Sequence, residues 1–167
     1  MSNSDNILSI VSISIGNRIE YIYAADGRRQ RTIHREKKLV YNLSDSTDYI
    51  GNLILKDGKP SMYQFNGGYY SFNDAGGLDG CHYYVQDYQG NNRMVVNRDG
   101  TTEQITHYYP YGGVIGDIST NHSLQAYKFE GKKLDRTFGL DWYDIQARQY
   151  DAIGVSRWTS MDPLAEK

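Results

Sequence analysis

What most constrains this chain is its punctuation by glycine. Turn signals recur at Asp26-Gly27, Asp57-Gly58, Asn66-Gly67-Gly68, Asp79-Gly80, Gln89-Gly90-Asn91, Asp99-Gly100, Gly112-Gly113 and Glu130-Gly131. Between Gly58 and Gly112 they fall every 9 to 13 residues. Glycine, with asparagine or aspartate beside it, supplies the positive φ of tight hairpin turns, so this spacing predicts successive hairpins. The segments between them, "IEYIY", "YQF", "YYSF", "HYYV", "RMVV" and "EQITHYY", are built from β-forming residues. In "IEYIY", alternation puts Ile19, Tyr21 and Tyr23 on one face and Glu20 and Ile22 on the other. The chain reads as all-β, mainly antiparallel hairpins in a meander, with at most short helices near the C-terminus. The helical candidates are "DWYDIQARQYD" and "STNHSLQAY", neither fully capped, while "NLSDSTDYIGN" reads as a polar connector.

A length of 167 residues is enough to bury a core without disulfides or metals. The net charge of -2, with acids and bases interspersed, excludes a protein built to grip phosphate backbones, so nucleic acid is not expected as a partner. The apolar run from Ile7 to Ile15 is broken by serines and has no basic residue before it. It is neither a signal peptide nor a membrane span. The 16 tyrosines against 4 phenylalanines and 2 tryptophans mark strands packed on one side and wet on the other, since tyrosine joins an apolar ring to a polar tip.

Candidate chemistry is sparse. The single Cys81 excludes an internal disulfide and reads as a small buried apolar side chain; no local signature makes it a nucleophile. His34, His82, His107 and His122 lack metal-ligand spacing, and no metal or other cofactor is expected. "NDAGGLDG" places oxygen groups in a glycine-rich loop but lacks the twelve-residue calcium pattern, so a hairpin loop is the reading. "RRQRTIHREKK" is the one basic stretch, read as the solvated face of a strand and its turn, with a glycan or wall-polymer contact as the alternative.

Several motifs together resemble a known family. "YIYAADGRR" resembles the tyrosine-aspartate (YD) repeat. From Cys81 to Lys167, "HYYVQDYQGNNRMVVNRDGT", "YYPYGGVI", "LQAYKFEGKKLDRTFGLDWYDIQARQYD" and "GVSRWTSMDPLAEK" resemble, in order, the RHS-repeat-associated core that closes arrays of such repeats. The resemblance divides the chain into a YD-repeat-like β segment, 1–80, and an RHS-type core, 81–167, forming one continuous β domain. It implies a secreted or surface-displayed polymorphic toxin, in which repeats wind into a β-shell and the core seals one end around a variable C-terminal toxin. The implied partners are the rest of that shell and the toxin cargo.

In many members of the family the core also cleaves the chain beyond itself at an aspartyl-protease-like site. By resemblance its residues here are Arg148 in "ARQYD" and Asp162 in "MDP". Two carboxyl groups sharing a site split their pKa values into a base and an acid, while an arginine tunes the charge; one carboxylate does not suffice. The family's second Asp-Pro motif would lie beyond Lys167. Ala152 also stands where the family has proline, "IGVSRW" carries extra residues before the tryptophan, and "DPLAE" replaces the usual "DPxGL". The preferred reading makes Asp162 a turn residue held extended by Pro163, with Arg148 as its ion-pair partner.

Three functions are therefore open. The first is a non-enzymatic structural module at the end of a toxin-encasing shell, with Trp142 and Trp158 anchoring the last strands and sheet edges left unpaired. The second is an autoproteolytic core, and the third a carbohydrate-binding β module.

Overall fold

A computed structural model describes residues 7–14, 16–39, 42–145 and 148–161. The fold is all-β, and its only helical pieces among the described residues are three-residue 3-10 turns. The chain divides into two compact units, 1–80 and 81–167.

In the first unit, β1 (Ile7–Ser14), β2 (Asn17–Tyr23), β3 (Arg29–Lys37), β4 (Asn42–Ile50), β5 (Leu53–Lys56), β6 (Lys59–Phe65) and β7 (Gly68–Phe72) form a meander. Each strand is antiparallel to the next. Gly27, Gly58 and Gly67 hold the positive φ that their turns require. One expected turn is corrected: Asp79-Gly80 lies inside β8 (Leu78–Gln86). The reversal comes earlier, where the Asn73 side chain accepts from the amides of Ala75 (3.1 Å) and Gly77 (2.9 Å) and does locally what Asp79 was expected to do.

A second correction concerns "NLSDSTDYI", which is strand β4 and not a connector. Its own residues are weak strand formers, but β3 opposite is basic, and the register sets Asp48 across from Arg31 and Asp45 across from His34. Arg31 donates to Asp48 from two nitrogens, and His34 Nδ1 lies 3.1 Å from Asp45. Cross-strand charge pairs thus supply what β-propensity lacks.

Residues paired in register point to the same side of a sheet. Following the register across this unit puts Ile19, Tyr21, Thr32, His34, Thr47, Ile54 and Tyr69, all buried, on one face. Leu8, Ile10, Ile50, Tyr63 and Tyr70 lie on the other, and all are exposed. The opposite face also holds a charged exception: Glu20 is buried between Arg18 (2.8 Å) and Arg35 (2.7 Å). The hydrogen bond from Arg35 holds its carboxyl below the usual range.

The second unit carries most of β8, then β9 (Asn92–Asn97) and β10 (Thr102–Ile105), again antiparallel. It ends in a four-stranded sheet ordered β11 (Lys133–Asp135), β12 (Trp142–Ile145), β13 (Arg148–Asp151), β14 (Arg157–Trp158). The helical reading of "DWYDIQARQYD" is corrected: it is the β12–β13 hairpin, with Trp142 opposite Asp151 and Tyr143 opposite Tyr150. Packing decides the outcome here, because Tyr143 and Tyr150 pair across the hairpin and share one core. "STNHSLQAY" is likewise not helical. Asn121 sits at φ 48 with its side chain bonded to the Glu103 carbonyl, and Thr120 and Tyr127 make isolated bridges to Ile105 and Lys133.

Val114, Leu134, Tyr143 and Ala152 form the apolar core of this unit, with Tyr108, Phe129, Ile145 and Tyr150 packed around it. Beside it lies a buried polar set: Asn91, Asn92, Gln104, Thr106, Gln125 and Lys128. Cys81 is a half-buried free thiol and not the packed core side chain expected.

Candidate functional site

Of the residues singled out in the sequence, Arg148 lies on β13, near the end of the described residues of the second unit. Tyr143 anchors it: the side chain is 0 % exposed, and its hydroxyl donates to the Gly112 carbonyl at 2.8 Å. Gly112 is held at φ +88, and a Cβ there would come within 2.7 Å of Phe129 Cγ. Glycine is therefore demanded twice, by backbone and by packing. Burial raises the Tyr143 and Tyr108 phenols above their ordinary range, so both act as neutral donors. Tyr108 donates to the Asn92 carbonyl at 2.7 Å.

One register row on from Tyr143, Tyr150 meets Trp158 edge to face, with ring centroids 5.7 Å apart. The Arg148 guanidinium lies 4.0 Å from the centre of the same Trp158 ring. Thr159 N then donates to the Gln149 carbonyl at 2.9 Å, tying the chain to β13 as it leaves the sheet. Of the two expected anchors, Trp158 stacks on this hairpin, whereas the ring that fills the core is Tyr143 in place of Trp142.

Asp151 accepts from the amides of Ile153 (3.1 Å) and Gly154 (2.7 Å), making it the turn residue that organises the stretch "AIGVS". Arg148 is thus placed on β13 and against Trp158, while Asp162 lies outside the described residues. The ion pair expected between them is accordingly a proposal.

His82 Nδ1 sits 2.5 Å from Glu103, and His34 pairs with Asp45. Among the described residues no group of three His, Cys, Asp or Glu is placed to hold a metal ion. Among them too, no helix is long and apolar enough to cross a membrane. Sequence reasoning missed Lys128, which is 1 % exposed and whose Nζ has no hydrogen-bond partner. Its position between Tyr127 and Phe129 in "QAYKFEG" is the signal that marks it, a lone cation in an aromatic run.

No family model matches the chain, and no curated protein does. Its fold matches solved toxin structures. It is similar to TcdB2-TccC3 with a TM-score of 0.75 and 19 % identity, over 96 % of this chain and 9 % of that one. It is similar to TcdB2-TccC3 without its hypervariable C-terminal region at 0.76 and 20 %, over 96 % of this chain and 9 % of that one. The Tc holotoxin pore of Photorhabdus luminescens, carrying an Asp-to-Ala mutation in TccC3, gives 0.73 and 20 %, over 98 % and 8 %. At these identities the likeness is one of fold. The chain spans less than a tenth of the length of each of these three.

Proposed function

We propose that this chain is a non-enzymatic structural module of an RHS/YD-repeat toxin-type protein, forming part of the end of a β-shell that encases or presents a C-terminal toxin. The observation that carries this reading is coverage. The match takes in 96 % of this chain and 9 % of the much longer TcdB2-TccC3 chain.

The geometry of the first unit supports it. Apolar side chains stand on both faces of its sheet, and among the described residues β1 has a strand neighbour only in β2. Such a sheet is suited to be one wall of something larger, since an open edge and a second apolar face are liabilities in isolation. In the same proposal, Arg148 and Trp158 fix the last strand at the junction to the cargo, and Asp162 is its boundary turn.

The test is limited proteolysis of the complete encoded protein. Encasement predicts a C-terminal polypeptide cut far more slowly than the same polypeptide expressed alone. Equal rates would overturn the proposal. Asp162→Asn in that protein should leave the band pattern unchanged if the module is structural, and abolish a processed band if the junction cleaves itself.

A further inference from the structure

Lys128 is a buried amine that the structural reading does not use. The backbone around it is a clamp. Lys128 N donates to the Lys132 carbonyl (2.8 Å), and the Lys128 carbonyl accepts from Asn92 N (3.0 Å) and Gly131 N (3.1 Å). Asn92 Nδ2 donates to the Tyr127 carbonyl (2.8 Å), Glu130 N donates to Asn91 Oδ1 (2.8 Å), and Leu134 N donates to the Ala126 carbonyl (2.8 Å). The segment from Gln125 to Lys133 thereby joins β9 to β11. Phe129 plugs it in place against Tyr108 and Tyr143, and Glu130 is held at φ 50, where residues with a Cβ are strained.

We propose that residues 125–133 form a pH-responsive latch, shut while the Lys128 amine is neutral and loosened when that amine takes up a proton. An ammonium without hydrogen-bond partners or an opposing charge is poorly tolerated at full burial, so the closed segment favours the neutral amine. The charged groups around it do not reverse this. Arg136, just beyond β11, is a second cation whose field opposes protonation. Glu130, Lys132 and Lys133 stand on the turn and its exit. On the β9 side Arg93 lies over the Tyr108 ring and Asp87 is taken up by Asn91. Tyr108 and Tyr143 are neutral, and no carboxylate among the described residues hydrogen-bonds to Nζ.

Burial, with Arg136 adding to it, lowers the Lys128 amine from 10.5 to about 7. In the opened segment the amine returns to its ordinary value. Opening between these limits takes up one proton, so the opening constant rises about tenfold for each unit that pH falls from 10.5 toward 7, and levels off below.

Hydrogen exchange reads this directly. The chemical exchange of an open amide speeds up about tenfold per pH unit, which the latch would offset. In the unaltered chain the amides of Lys128, Leu134 and Asn92 should exchange at nearly constant rates from pH 7 to 9. In Lys128→Met, whose side chain has similar length and no charge to gain, the same amides should speed up about tenfold per unit. The amide of Ile19 serves as reference and should follow the tenfold course in both. A tenfold rise at the latch amides of the unaltered chain would overturn the proposal, whether or not the variant folds.

Discussion

The guanidinium of Arg148 lies 4.0 Å from the centre of the Trp158 ring, one strand away on the last hairpin of the second unit. An arginine read from the sequence as tuning a carboxylate is placed by the structure against a ring of the last strand. At a partly exposed site such a contact contributes about 0.5–1 kcal/mol. Trp158→Ala and Arg148→Ala should each lower stability by about 1 kcal/mol, with a coupling of about 0.5 kcal/mol in a double-mutant cycle. Urea denaturation of the four chains measures it, and strict additivity would separate the two residues.

Tyr143 and Gly112 should be the least replaceable pair in the second unit. Tyr143→Phe leaves a carbonyl without its partner and should cost about 1–3 kcal/mol. Gly112→Ala adds a Cβ against Phe129 at a left-handed φ and should cost more. At Gly100 the φ is +83 but nothing lies within 4 Å of a Cβ, so Gly100→Ala should cost only about 1 kcal/mol. Equal losses at the two glycines would rule out the packing argument.

Glu20 gives the first unit an acid limb. Its carboxyl is held below the ordinary 4.5 by Arg35 and Arg18. A depressed carboxyl contributes stability that is fully present above its unfolded value and is lost as pH falls through the folded one. Stability measured from pH 6 downward should therefore begin to decline near 4.5 and continue below it, and Glu20→Gln should flatten that decline at a cost of about 1–2 kcal/mol at pH 7. A parallel pH curve in the variant would assign the acid limb to other groups.

Leu8 and Ile10 are exposed on β1, which among the described residues pairs only with β2 and so forms an edge of the first sheet. Inward- or outward-pointing lysine is a common way to stop such edges from pairing. The purified chain should self-associate at micromolar concentration, and Ile10→Lys should return it toward monomer in sedimentation velocity. An unaltered chain that stays monomeric throughout would show that the edge is not sticky.

The all-β fold was legible because hairpin formation is local: Gly27, Gly58, Gly67, Gly90 and Gly100 announce their own turns. Two misreadings fell where a partner distant in sequence decided the outcome, whereas the turn expected at Asp79-Gly80 was displaced by a local side chain, Asn73. β4 is a strand because basic β3 lies beside it. "DWYDIQARQYD" is a hairpin because Tyr143 and Tyr150 share a core with Val114. The site was less legible still. Arg148 could be named from its motif, but its contact with Trp158 depends on the turn organised by Asp151, and the burial of Lys128 depends on Asn92, 36 positions earlier.

Among the described residues of the first unit, every strand hydrogen-bonds only to its neighbours in sequence. Each such hairpin closes a short loop at small entropic cost and can form as the chain leaves the ribosome. The same arrangement lets evolution lengthen or shorten the sheet by whole hairpins without rethreading it. A protein assembled in this way can change its length while keeping its chemistry.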